Sequence, residues 1–365
     1  MTPASPASPM PFLLWCLRAS ITGERGAPPP LSPRPDWPAL IETANWHGVL
    51  PHLYRSLTRH GAHLVPPATL DSLQALYLAN TQHNLLLTGT LLNLIKRFEA
   101  QGMTAIPYKG PGLAAALYGN VTWRQFRDLD ILVRPREASR AVTLLRDDGY
   151  QPIYQLPPGL DRLFHRVRKV YELRHPDTGI AVELHWALTS WTFPFPLQID
   201  TLWERLTPMT LAGETIQRVN MEDTLLMLCV HGAKHHWGRL GWIGDIAALL
   251  QRYPELDWGR LFAEADQLGA RRMLELGLTL AATLLGITLP PGARQPMSAN
   301  ARVQALTADV SHRLLDAPEP PRQAVEHPSF YLKLRSRWQD KLRCGLYLTY
   351  YYARFPLRKG LAPPV

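Results

Sequence analysis

Two carboxylates one residue apart, Asp128 and Asp130, open the apolar run Asp128-Leu129-Asp130-Ile131-Leu132-Val133 and limit what this chain can fold into. A run of that length and character reads as a buried strand. Side chains at i and i+2 of a strand share one face, so the two aspartates stand side by side at the start of it. Like charges that close repel and lose solvation. A divalent cation removes that penalty, and Mg²⁺ is usually held by one or two carboxylates together with substrate phosphates. Just upstream, Tyr108-Lys109-Gly110-Pro111-Gly112 reads as a strand end, a glycine turn and a helix start, and the N–H groups of a helix N-terminus suit phosphate. The pattern points to metal-dependent chemistry on a nucleotide.

Further along, Ile180-Ala181-Val182-Glu183-Leu184-His185-Trp186 follows a turn at Pro176-Asp177-Thr178-Gly179 and reads as another strand. Glu183 and His185 share one of its faces. If this strand lies beside Asp128–Val133, Glu183 completes a group of three carboxylates. Such a group can hold two metal ions about 3.5–4 Å apart, the arrangement that clamps the attacking and leaving oxygens of a phosphoryl transfer. Glu183 has a second possible role, as general base toward an acceptor hydroxyl.

Together with Leu117-Tyr118-Gly119 and the Arg124 and Arg127 lead-in, these motifs resemble the polymerase-β-type nucleotidyltransferase superfamily, and within it the bacterial branch of "nucleotidyltransferase family" proteins. The segments Leu228–Trp237 and Trp242–Ile246 are similar to that branch as well, so the resemblance covers roughly residues 80–290. It implies transfer of a nucleoside monophosphate from an NTP, ATP among them, to a hydroxyl or similar acceptor, with release of pyrophosphate. It implies Mg²⁺, as two ions, on Asp128, Asp130 and Glu183. Lys109, Gly110, Arg124 and Arg127 would contact the nucleotide phosphates, the arginines through bidentate pairing. The resemblance has two departures. The superfamily usually carries Gly-Ser at the turn where this chain has Lys109-Gly110, and an aspartate is commoner than Glu183 as the third acid. Lys109 could replace the serine contact as a point charge, or mark a fold kept for binding alone. A non-catalytic nucleotide-binding or scaffold protein is therefore the alternative. An RNA-directed transferase is weaker still, since no RNA-binding module is recognisable.

The expected fold is α+β: a small mixed sheet with helices on one face, N-terminal helices before it and a helical subdomain after it. The sheet elements are strands at Thr104–Tyr108, Asp128–Val133, Lys169–His175 and Ala181–Trp186, the last two as a hairpin. Helices are expected over Phe12–Ala19, Pro38–His60, Thr69–Gln101 (as one helix or two), Gly112–Tyr118 and Arg136–Asp147. From Met221 onward every long apolar pattern is helical. The expected segments are 1–79, a helical segment with proline-rich loops; 80–219, the nucleotidyltransferase core; 220–315, a helical subdomain forming the other wall of the substrate cleft; and 316–365, a basic aromatic tail. The stretches 1–9 and 26–37 read as loose.

His231 and His235 stand at i, i+4 on one helix face, but the run His231-Gly232-Ala233-Lys234-His235 lacks a metalloprotease glutamate and shows no third ligand. Lys234 and His235 are read instead as cleft contacts or as a polar helix end that complements the helix dipole. His185 is read as a packed neighbour of the site.

Residues 331–359 hold eight Lys or Arg against one acid, Asp340, interleaved with Trp338, Tyr347, Tyr350, Tyr351, Tyr352 and Phe355. That pattern suits a docked terminal helix, an anionic membrane surface, or single-stranded nucleic acid. The formal charge of the chain is +9, which is compatible with polyanions without selecting one. The three cysteines, Cys16, Cys229 and Cys344, have neither zinc spacing nor a disulfide pattern and suit a reducing cytoplasm. The apolar run Pro11–Leu17 is short for a signal peptide, and no run approaches the ~18 residues of a spanning helix. The expectation is a cytoplasmic protein with peripheral membrane contact through the tail as an option. The acceptor, the donor base and the oligomeric state have no signature in the sequence.

Overall fold

In the computed structural model, the described residues are 8–24, 35–155, 157, 159, 165–189, 193, 195–197, 199–297, 300–316 and 328–354, with backbone alone for 347–354. Most of the proline-rich stretches, residues 1–7 and 26–34, and the end of the basic tail, residues 355–365, lie outside them. In chain order the helices and strands are α1 Met10–Thr22, α2 Trp37–Trp46, α3 Leu50–Ser56, α4 Pro67–Glu99, β1 Ile106–Pro107, α5 Gly110–Tyr118, β2 Asp128–Leu132, α6 Ala138–Asp147, β3 Gln151–Pro152, β4 Val170–Arg174, β5 Ala181–His185, α7 Ile199–Glu204, β6 Thr207–Leu211, β7 Glu214–Arg218, α8 Met221–Lys234, α9 Leu240–Arg252, α10 Trp258–Gln267, α11 Arg271–Leu285, α12 Pro291–Arg294, α13 Ala301–Asp316, α14 Pro328–Leu334 and α15 Trp338–Arg354. The class is α+β. The chain divides into two compact units: residues 79–224, and residues 1–78 together with 225–365. Among the described residues no helix is long and apolar enough to cross a membrane.

The first of these units contains the sheet, in strand order β1-β2-β5-β4-β3. β2 and β5 run parallel; β1 against β2, β4 against β5 and β3 against β4 are antiparallel. Alternation does the sorting. Leu129, Ile131, Val133, Tyr171, Leu173, Val182 and Leu184 point to one face and are buried there with Leu87, Leu91, Ile95 and Phe98 of α4 and Ala141 and Leu145 of α6. The opposite face carries Asp128, Asp130, Glu183 and His185 from β2 and β5.

Local backbone chemistry altered two expectations and added one hairpin, and α4 settled the choice between one helix and two. Pairing in β1 stops at Pro107, which has no N–H to give the ladder; beyond it only the Tyr108 N–H reaches the Asp130 carbonyl, at 3.3 Å. The helix expected over Pro38–His60 is broken between α2 and α3, where Gly48 takes φ +71° and Pro51 opens the next helix. α4 runs unbroken for 33 residues. The β6–β7 hairpin was not foreseen, because Pro208 speaks against a strand. Its turn, Ala212-Gly213, has φ +49° and +86°, the two positive values that match the twist of a two-residue hairpin. Leu211 and Ile216 of this hairpin are buried in the sheet core.

Before β2 the chain makes a tight excursion, Gly119–Arg127, that sets where the aspartates stand. Asn84 of α4 is buried and its Nδ2 donates to the carbonyls of Val121 and Arg124, both at 2.7 Å. Asn80, one turn earlier, donates to the Thr122 carbonyl at 3.3 Å. Thus α4 supplies both apolar cover and the polar anchors of the excursion.

Among its described residues, the second unit has helices and no strand. α1 packs on α3, α9 and α11, and α11 on α13, so N-terminal and C-terminal segments share one core. His236 and Trp237 both sit at left-handed φ, +55° and +53°, an unfavourable state for such side chains. Burial of the Trp237 indole, which has no solvent exposure, offsets it. Gly232 and Gly277 make room: a Cβ at either would lie 2.5 Å or 3.1 Å from that ring.

Two stability predictions follow from these contacts. Asn84→Ala removes the amide donor from two carbonyls and is expected to lower unfolding free energy by about 1–3 kcal/mol in urea titration; an unchanged midpoint would mean that the excursion holds without the Asn84 side chain. Gly232→Ala overfills the Trp237 pocket and should remove a further ~1–3 kcal/mol by the same measurement, whereas a neutral result would show that the indole is free to shift.

Candidate active site

The site is built from a register. β2 and β5 pair so that Asp128 lies opposite Ala181, Asp130 opposite Glu183 and Leu132 opposite His185. Residues opposed across a ladder project to the same face, so Asp128, Asp130, Glu183 and His185 converge. β1 places Tyr108 and Lys109 at the border of that face, and Gly110 then turns the chain into α5. Gly110 has φ +59° and its backbone lies against the Asp128 carbonyl, which a Cβ there would meet at 3.5 Å. The left-handed φ is what calls for glycine here.

Charge is compensated within the cluster. Nζ of Lys109 lies 2.9 Å from Asp130 Oδ1. Nε2 of His185 lies 3.3 Å from the same oxygen, 3.1 Å from Glu183 Oε2 and 3.3 Å from the Tyr108 hydroxyl. Burial disfavours the charge on Lys109, yet Asp130 outweighs it and holds the ammonium above the usual lysine range. Burial likewise pushes Asp130 up, but Lys109 and then His185 reverse the shift and keep its carboxylate ionised. His185 is raised despite its burial, through its hydrogen bonds to Asp130 and Glu183. Glu183, with burial opposing and the His185 hydrogen bond favouring its charge, ends below the usual range.

Asp128 behaves differently. Burial first, and then the charges of Asp130 and Glu183, push it up to about 7. It is the acid of the group that neither Lys109 nor His185 touches.

Each expected residue has a definite place. Ligand atoms of Asp130, Glu183 and His185 all lie within 4.8 Å of one another, a spacing that one metal ion can bridge. His185, read from the sequence as a neighbour, stands inside this group. Arg124 is half-buried, its carbonyl held by Asn84, and Arg127 is exposed. Lys234 and His235 belong to the second unit. There the Lys234 carbonyl accepts from the Tyr331 hydroxyl at 2.9 Å, and the His235 ring lies 4.6 Å from His231 and 5.4 Å from Trp242.

Sequence reasoning missed Glu172 and Arg168. Glu172 of β4 lies opposite Glu183, so a fourth carboxylate shares the face. Arg168 pairs with it at 2.6 Å. The period of β4 places Glu172 on one of two faces, but only the hairpin register says which. Tyr108 was part of the motif without a role, and the hydroxyl of this half-buried side chain adjoins His185.

The family model described as "Uncharacterised nucleotidyltransferase" matches residues 33–286, more than half of the chain. No curated protein matches. Among solved structures, the chain is similar to an antigenic nucleotidyltransferase-like protein from Paracoccidioides brasiliensis, at 16% identity and a TM-score of 0.36, over 57% of this chain and 95% of that one. By its sequence match across sheet and flanking helices, the chain belongs to this family of uncharacterised nucleotidyltransferases.

Proposed function

We propose that the protein transfers a nucleoside monophosphate from an NTP to an acceptor hydroxyl, with Mg²⁺ as the metal. The observation that carries this reading is the parallel register that sets Asp130 against Glu183, with Asp128 beside them and Lys109 at the mouth of α5. The donor set fits a divalent cation: ionised Asp130 and Glu183, and Asp128 as an acid that gives up its proton near neutrality. Oxygen ligands of this kind suit Mg²⁺, which Asp128, Asp130 and Glu183 would hold. When bound, a divalent cation stabilises charge on the transferred phosphoryl group and on the departing pyrophosphate.

The residues of the chain supply the rest. No side chain caps the N-terminus of α5, which leaves its N–H groups to the triphosphate together with Lys109. Arg124 and Arg127 position the same phosphates. The acceptor oxygen attacks the α-phosphorus, its proton goes to solvent or to a carboxylate, and the bond to the β-phosphate oxygen breaks with pyrophosphate as the leaving group. Of the two roles open to Glu183, its depressed pKa favours that of an ionised ligand, because an effective general base has its pKa near the working pH. His185, held by Asp130 and Glu183, orients both carboxylates.

One observation favours a second reading. Lys109 and His185 already neutralise Asp130, which suits a fold that binds nucleotide without turnover. Calorimetry with each NTP, with and without Mg²⁺, separates these readings when combined with a pyrophosphate assay. The transferase reading expects Mg²⁺-dependent binding that falls at least about a hundredfold in Asp128→Asn/Asp130→Asn, and pyrophosphate release that disappears in Asp130→Asn. Binding without release on any acceptor would install the scaffold reading; absence of binding by the folded protein would sink both.

The sign of the pH effect is also set. Asp128 is raised, so at and below about pH 7 the metal-free protein keeps its proton. His185 is raised as well, because its hydrogen bonds to Asp130 and Glu183 outweigh its burial. Cation binding must expel protons. Affinity for Mn²⁺, used as a probe for Mg²⁺, should therefore climb by about tenfold between pH 6 and pH 8, as expected for one displaced proton on a group that titrates near the middle of that interval. Equal affinities at the two pH values would mean that Asp128 is not a ligand.

A further inference from the structure

The helix that ends the described chain carries an apolar stripe unconnected with the carboxylate cluster. On its inner side α15 buries Asp340 and Cys344, and Asp340 accepts from Arg337 Nε at 2.7 Å. On another side Trp338 is 71% exposed, Leu342 56% and Leu346 63%. Spaced four residues apart, these three cover about 80° of one helix face. Single exposed leucines are ordinary; a tryptophan and two leucines aligned over two turns form a surface. Lys341 and Arg343 stand one position to either side of Leu342, so a basic residue flanks each edge of the stripe. Leu332 and Lys333 of α14 are exposed too.

Charge selects among the possible occupants. Residues 331–359 carry eight Lys or Arg, and the one acid among them, Asp340, is buried and paired. A second copy of the same stripe would bring two such basic segments together. Single-stranded nucleic acid binds through stacking on aromatic rings, whereas two of the three exposed side chains here are leucines. An apolar stripe with a tryptophan at one end and cations along both edges fits the headgroup layer of an anionic bilayer, where long basic side chains lie along the apolar boundary with their charges at the phosphates.

We propose that α15 is a peripheral membrane anchor that lies in the plane of an anionic lipid surface, with Trp338, Leu342 and Leu346 inserted and Lys341 and Arg343 at the headgroups. The inference is independent of the nucleotidyl-transfer reading.

The test is co-sedimentation of the full chain with phosphatidylcholine vesicles, with and without phosphatidylserine, at low and high salt. Binding is expected only with phosphatidylserine, falling as salt screens the basic residues. The replaced side chains are exposed, so Trp338→Ala/Leu342→Ala/Leu346→Ala should keep the wild-type unfolding midpoint and lose at least about tenfold in vesicle affinity. Lys341→Gln/Arg343→Gln should also lose affinity for phosphatidylserine vesicles, and what remains should respond less to salt. No binding to phosphatidylserine vesicles, or equal binding by the triple variant, overturns the proposal. So does a dimer in sedimentation velocity, or capture on a single-stranded oligonucleotide, that the triple variant abolishes; these outcomes would give the stripe to a second copy or to nucleic acid.

Discussion

The parallel pairing of β2 with β5 is the constraint on which the rest of the site depends. It converts two short acidic patterns, some fifty residues apart, into one cluster with Asp130 directly opposite Glu183. A slip of one residue would turn every side chain of one strand to the other face. It would bury Glu183 under α4 and α6 and expose Val182 and Leu184. The apolar face therefore enforces the register, and the polar face inherits its geometry.

That inheritance has an electrostatic cost, and neighbouring residues answer it. Two unit charges 5 Å apart repel by about 3 kcal/mol at an effective dielectric near 20. Lys109 and His185 meet this cost at Asp130 and Glu183, and Arg168 does so for Glu172. Asp128 is left without a cationic partner in the cluster, and its pKa rises instead. The cluster is a set of compensated acids with one uncompensated member, which is the member that a proton or a cation would occupy.

Much of this was legible in the residues. The D-x-D run, the glycine turn and the acidic strand after Gly179 are local patterns, and local patterns survive in one dimension. The hairpin of β4 and β5 could be read because a turn and two alternating runs lie within twenty residues. Other features were hidden for physical reasons. Pro208 masked β6, because an edge strand tolerates a proline that a central strand would not. The role of Asn84 was invisible, since a buried asparagine in a helix looks the same as an exposed one until its partners, Val121 and Arg124, fold back onto it. His185 read as a neighbour because its nitrogen is aimed by Glu183, Asp130 and Tyr108, the last of them 77 residues away along the chain.

By itself the sequence determined most element types, the face that Asp128 shares with Asp130 and Glu183 with His185, and the family resemblance. These follow from periods of 2 and 3.6 and from turn chemistry, all of which act between near neighbours. Only the tertiary structure decided which strands adjoin, that Lys109 rests on Asp130, that Glu172 is already paired, and that helices from both ends of the chain form one core. Those outcomes depend on burial shared among distant segments, and the free energy of burial belongs to the assembled core, not to any one segment of the chain.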